Sequence, residues 1–124
     1  MFLLQVIDGG YMITNENGKE LLEELSALAN PHRMRILAAL GTGRNYVSQL
    51  ARDLEISRPL LHLHLQKLEA AGLVRSSLEL SDDGKAMRFF ELEPFSIVVT
   101  PESIARYVEA FPTLGQSSPK ENNE

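Results

Sequence analysis

The sequence predicts a mainly α domain carrying a β-hairpin, an α+β arrangement, and two observations in its middle third carry that expectation. First, N-P-H-R-M-R-I-L-A-A-L (30–40), Y-V-S-Q-L-A-R-D-L (46–54) and R-P-L-L-H-L-H-L-Q-K-L-E-A-A (58–71) read as three short helices. The last two are separated by a three-residue turn. Second, L-V-R-S-S-L-E-L and A-M-R-F-F-E-L-E flank S-D-D-G-K, two strands around a tight turn. Two helices joined by a short turn and running directly into a hairpin are the order of a winged helix-turn-helix.

Length and composition set the frame. With 124 residues, 44% of them hydrophobic, the chain can bury one core and is too short for two ordinary domains. The expected organisation is an N-terminal arm or small hairpin over 1–18, a winged helix-turn-helix with flanking helices over 19–111, and a polar, disordered tail over 112–124. No apolar run approaches the roughly 20 residues of a membrane helix. The start, M-F-L-L-Q-V-I-D-G-G, lacks the basic flank and cleavage site of a signal peptide, so a cytoplasmic protein is expected. The absence of cysteine excludes disulfides, thiolate metal sites and cysteine nucleophiles.

The net charge of −5 runs against binding a polyanion, but its distribution does not. Residues 1–29 carry one lysine against five acids, whereas residues 30–75 carry six arginines and one lysine against three acids. Residues 76–100 and 101–124 are again net negative. The helix-turn-helix segment is therefore the one positive stretch, the asymmetry left by a nucleic-acid footprint or by a solvated arginine-rich face.

In chain order, F-L-L-Q-V-I and Y-M-I-T flank Asp8-Gly9-Gly10 as β-prone runs. K-E-L-L-E-E-L-S-A-L-A then places Leu21, Leu22, Leu25 and Leu28 on one helical face. Asn30-Pro31 stops this helix and opens the next, with Met34, Leu37 and Ala38 expected inward and Gly41-Thr42-Gly43 at its end. Asn45 is read as the N-cap of a helix whose Val47, Leu50, Ala51 and Leu54 share a side. After Glu55-Ile56-Ser57, Ser57 caps a helix with Pro59 in its first turn and Gly72 as its stop. There Leu61, Leu65 and Leu68 recur at core spacing, and rotation by 100° per residue puts Arg58, His62, Gln66 and Glu69 on the opposite side. With Asp83-Gly84 as central turn residues, the hairpin register would pair Leu80 with Met87, Leu78 with Phe89 and Glu79 with Arg88. Thr100-Pro101-Glu102 opens a terminal helix ending near Phe111-Pro112.

A-N-P-H-R-M-R-I-L-A-A-L and the stretch I-S-R-P-L-L-H-L-H-L-Q-K-L-E-A-A-G-L-V resemble the ArsR-type winged-helix transcriptional repressors over roughly residues 19–111. Ser57, Pro59, His64, Leu65, Leu68 and Ala71 to Val74 carry the resemblance in the second stretch. It implies a homodimeric regulator of double-stranded DNA. Where many metal-sensing members have Cys-x-Cys, this chain has Tyr46 and Ser48, and its terminal helix S-I-A-R-Y-V-E-A has no histidine. The family's metal sensing is therefore not carried over, and no metal or cofactor is expected. Leu60, His62 and Leu63 stand where the family has polar residues.

Together, resemblance and helical geometry make Arg58, Pro59, His62, Leu63 and Gln66 the base-facing candidates. Arg58 suits guanine O6/N7, Gln66 suits adenine, and Leu63 suits a thymine methyl or a protein surface. Arg33, Arg35, Arg44, Ser48, Arg52, Ser57, Lys67, Lys85 and Arg88 are phosphate candidates, with some arginines expected in ion pairs such as Arg52 with Glu55. Asp82 and Asp83 make the wing tip nearly neutral or acidic. His62 and His64 diverge on the helix and cannot chelate one ion, and His64 is expected at the core boundary. The two-fold interface is assigned to Leu21, Leu25, Leu28, Ile104, Tyr107, Val108 and Phe111. No serine has a placed histidine and acid, so an enzyme is not expected. The alternative is a winged helix serving as a protein-interaction module. No effector is legible.

Overall fold

The computed structural model describes residues 2–7, 10–15 and 18–111; the predicted disordered tail lies outside the described residues. The elements are β1 (Phe2–Ile7), β2 (Gly10–Asn15), α1 (Gly18–Leu28), α2 (Pro31–Leu40), β3 (Asn45–Tyr46), α3 (Val47–Leu54), α4 (Arg58–Ala70), β4 (Val74–Leu80), β5 (Ala86–Leu92) and α5 (Pro101–Glu109). Five helices thus accompany a three-stranded antiparallel sheet of order β3-β5-β4, the winged helix-turn-helix arrangement, and β1 and β2 pair as a separate antiparallel hairpin. Two compact units result, Leu22–Phe95 on one hand and the described residues of Met1–Leu21 and Ser96–Glu124 on the other.

The Leu22–Phe95 unit closes around Ile36, Leu50, Leu61, Leu65, Leu68, Leu73 and Val74, all essentially removed from water. Each such side chain contributes on the order of 1.5–3 kcal/mol through burial. Local signals seat the helices. Asn30 Oδ1 accepts from the Arg33 N–H at 3.1 Å, and Ser57 Oγ accepts from the Leu60 N–H at 3.3 Å, with Pro31 and Pro59 in the first turns. Between α3 and α4, Glu55 adopts φ +57° and the Ile56 N–H returns to the Ala51 carbonyl at 3.1 Å, which reverses the chain within three residues. Gly72, at φ +80°, ends α4 and releases the chain into β4.

Three expectations are corrected. The inward face of α2 is Ile36 and Leu40 with Leu37 half-buried, while Met34 is 57% exposed and Ala38 is also outside. Six of the seven residues from Met34 to Leu40 are apolar, so periodicity alone cannot choose the phase, and packing against α3 and α4 does. Asn45 is not a helix cap. It sits in β3 opposite Phe90 and its Oδ1 accepts from the next N–H, while Tyr46 occupies the N-cap position of α3 without a side-chain cap.

The wing register is shifted by one residue: Leu80 pairs with Ala86, Glu79 with Met87, Leu78 with Arg88 and Ser77 with Phe89. The loop is one residue longer than a two-residue turn, because Gly84 N–H bonds to the Ser81 carbonyl at 2.9 Å and Ser81 N–H to the Lys85 carbonyl at 2.7 Å. Gly84 at φ +86° supplies the left-handed residue of this bulged hairpin.

In the other unit, Thr100 and Ser103 form a reciprocal capping box on α5, and the Ser103 hydroxyl also donates to the Val98 carbonyl at 3.1 Å. Gly18 packs against the Phe111 ring and the Tyr107 carbonyl so closely that a Cβ there would lie 2.9 Å from the Tyr107 oxygen.

The phase of α2 gives a direct expectation. Ile36→Ala should cost about 2–5 kcal/mol in chemical denaturation, whereas Met34→Ala should stay within about 0.5 kcal/mol of the parent. Equal losses would mean that the helix is rotated from the orientation described.

Candidate nucleic-acid interface

The buried leucines of α4 determine what it presents outward. With Leu61, Leu65 and Leu68 inside, Arg58, Pro59, His62, Leu63, Gln66 and Lys67 are all exposed. Leu63 is 64% exposed, a large apolar side chain in the middle of an otherwise polar face. Glu69 is turned toward the wing, where its carboxylate accepts from the Ser76 hydroxyl at 3.0 Å, and Arg88 donates to the same hydroxyl at 3.3 Å.

Beside the N-terminal end of α4 opens a cleft of about 370 Å³ lined by Tyr46, Val47, Ser48, Arg58, Lys85, Ala86, Met87 and Arg88. Three elements meet there: the start of α3, the first residue of α4 and the near end of β5 with the loop before it. Three cationic side chains therefore face one opening. Two of them, Lys85 and Arg88, come from a segment whose net charge is negative, and Tyr46 and Met87 also line the cleft, though the sequence marked neither as a DNA contact. The Asp83 carboxylate is held by the Ser81 hydroxyl and the Lys85 N–H, and these hydrogen bonds lower its pKa.

Other predicted phosphate contacts are placed differently. Arg33 is turned into the domain: its Nε donates to the Ala27 carbonyl at 2.6 Å, one terminal nitrogen to the Ser26 carbonyl at 3.3 Å, and the other to His64 Nδ1 at 3.2 Å. It thus caps the last carbonyls of α1 and ties them to α4. Arg44 forks onto the carboxylate of Glu79, and Arg75 bridges Glu91 and Glu93. Arg52 donates to Gln49 in place of the anticipated Glu55, whose left-handed backbone takes it out of helical register. Gln49 in turn donates to Asp53, as does Asn45. Ser57 is occupied as the cap of α4, and Arg35 is exposed on α2.

Of the residues assigned to a two-fold interface, Leu21 and Tyr107 are buried, and Leu25, Leu28 and Phe111 are half-buried. Ile104 and Val108 are about half exposed, one turn apart on α5. Among the described residues no cluster of three or more His, Cys, Asp or Glu side chains could hold a metal ion, and no helix is long and apolar enough to cross a membrane.

The helix-turn-helix domain family matches residues 28–77. An uncharacterised helix-turn-helix-type transcriptional regulator of Methanocaldococcus jannaschii is 39% identical over 83 residues, which cover 67% of this chain and 86% of that relative. The chain belongs to the helix-turn-helix-type transcriptional regulators. The transcriptional regulator CmtR of Mycobacterium tuberculosis is also 39% identical, over 79 residues, 63% of this chain and 64% of CmtR, so the match spans under two thirds of that relative. In fold, the chain is similar to a homodimeric winged helix-turn-helix DNA-binding domain of a possible ArsR-family regulator from Mycobacterium bovis. The TM-score is 0.54 and the identity 24%, over 60% of this chain and 64% of that one.

Within this family frame, His64 is the one buried titratable group of α4, 8% exposed. Arginine can only donate, so Nδ1 accepts and the proton sits on Nε2, which is buried without a hydrogen-bond partner. The His32 ring stacks on it at 5.4 Å. Burial first, then the Arg33 charge and His32, lower the pKa of His64 below the usual 6.5. The folded protein therefore keeps His64 neutral where the unfolded chain would take up a proton. Stability is full above pH of about 6.5 and declines as the pH falls below it. The melting temperature should drop from pH 7 to pH 5, and His64→Gln should flatten that slope; an unchanged slope would remove His64 as its source.

Proposed function

We propose that this chain is a sequence-specific double-stranded-DNA-binding transcriptional regulator, a repressor, that acts in the cytoplasm as a homodimer without a thiolate metal site or cofactor. The observation that carries the reading is the continuity of the exposed α4 stripe with the cleft where Arg58, Lys85 and Arg88 converge. A duplex offers both counterparts at once. Base edges in the major groove meet Arg58, His62, Leu63 and Gln66, and the neighbouring phosphates meet the cations of the cleft. At this cleft α3 also begins without a side-chain cap, which leaves its first N–H groups to favour an anion. Ser48 and Lys67 flank the same path, Ser48 in the cleft and Lys67 on α4.

Dimerisation is supported by the homodimeric state of the similar Mycobacterium bovis domain. The exposed Ile104 and Val108 of α5 offer apolar surface for it. A two-fold arrangement places two α4 helices in successive major grooves, about one turn of DNA apart.

One observation favours a second reading, a winged helix that binds protein: Leu78 and Leu80 of the wing are 61% and 75% exposed and lie on one face of β4. Salt separates the two readings. Binding to the duplex upstream of the chain's own gene should weaken steeply with salt, by about 0.9 in the log-log slope for each phosphate neutralised. Arg58→Ala should relax preference at one base pair, a loss of about 1–3 kcal/mol there, while Lys67→Ala should weaken all sequences alike. Sedimentation should return a dimer. Absence of binding to any duplex at low salt would transfer the assignment to the protein-binding reading.

A further inference from the structure

Arg44 reads in the sequence as one more cation of the positive segment, available to a phosphate. Its surroundings give it another task. The residue sits between α2 and β3, outside every helix, and its two terminal nitrogens meet the two carboxylate oxygens of Glu79 on β4, one of them at 3.1 Å. The same guanidinium lies 4.2 Å from the centre of the Phe89 ring on β5. Phe89 is also met edge-on by Tyr46 at 5.7 Å and 72°, and pairs with Tyr46 through the backbone. Arg44 thus grips both strands of the wing at once, one by a forked ion pair and the other by a cation–π contact.

The position of this grip matters. The helical body holds the base of the sheet through Val74 and Phe90 in the core and through β3, whose pairing with β5 ends at Tyr46 and Phe89. Beyond Phe89 the hairpin projects through Glu79, Leu80 and the Ser81–Lys85 loop, and its Lys85 and Arg88 face Arg58 across the cleft. A tilt of the projecting part would move Lys85 and Arg88 relative to Arg58. We infer that Arg44 is a positioning residue: clasped between Glu79 and Phe89, it fixes the angle of the wing and so the spacing of the cations across the cleft. Lysine cannot replace it, because a single ammonium supplies neither the planar fork nor ring stacking. This inference rests on the DNA-binding reading for its functional consequence, though not for its structural one.

Two substitutions separate positioning from direct contact, Glu79→Gln and Arg44→Lys, compared with wild type in duplex binding across a salt series and in amide hydrogen exchange. Removing a carboxylate from a DNA-binding surface ordinarily tightens binding, and it would do so doubly if Arg44 were a phosphate contact released from Glu79. Positioning predicts the opposite sign, a loss of about three- to tenfold for Glu79→Gln, as expected for one exposed ion pair acting with a cation–π contact. Arg44→Lys keeps the charge and should still bind more weakly, with a shallower salt slope as Lys85 and Arg88 lose their phosphates. Amides of β4 and β5 beyond Phe89 should exchange faster in both variants. Tighter binding by Glu79→Gln, or full activity of Arg44→Lys, overturns the inference. If wild type binds no duplex, the DNA reading fails by itself, and hydrogen exchange alone decides: unchanged protection in both variants overturns the positioning role, and faster exchange upholds it.

Discussion

Leu61, Leu65 and Leu68 lie at i, i+4 and i+7 of α4 and have essentially no contact with solvent. Because a helix advances 100° per residue, this one stripe fixes the direction of every other side chain on the element. Arg58, His62 and Gln66 face outward because the leucines cannot. The same burial joins α4 to Leu73 and Val74, the residues that lead into the wing, so the helix and the hairpin share one core. Loss of that stripe would dissolve the site along with the fold, which is why the outward residues must be judged apart from it.

The features written locally in the sequence were legible. Ser57 and Thr100 as caps, Pro59 in a first turn, Gly72 as a stop and the three-leucine stripe each depend on neighbours within four residues. The misread features depend on residues far away. The phase of α2 was not written in its own composition, because nearly every position after Arg35 is apolar. The wing register turned on whether Gly84 serves in a two-residue turn or as the bulge of a longer one, and Ser81–Asp82–Asp83–Gly84–Lys85 permits both. Of the candidate site, the outward stripe of α4 followed from periodicity, whereas the cleft did not. It requires Arg58 to meet Lys85 and Arg88, about thirty residues away along the chain.

Charge was the least readable property. A positive total over residues 30–75 counts Arg33, Arg44 and Arg75 equally with Arg58, yet the first three hold the domain together: one on helix-end carbonyls and His64, one on Glu79 and Phe89, one on Glu91 and Glu93. Such side chains have already given up much of their donor capacity. Lys85 and Arg88, by contrast, belong to a segment with more acids than bases, yet they reach the cleft. Which cations share the cleft is thus set by the folded geometry and not by segment totals.

The exposed residues of α4 have an evolutionary consequence. Arg58, His62 and Gln66 are tied by no ion pair or hydrogen bond among the described residues, and Leu63 gives little of its surface to the core. Substitutions at such positions ordinarily change stability by no more than about 0.5 kcal/mol. Drift at these four places is therefore nearly invisible to selection for folding, and, if they read DNA as proposed, fully visible to selection for what is read. On the proposed DNA-binding reading, lineages that inherit this scaffold can exchange target sequences without passing through an unfolded ancestor.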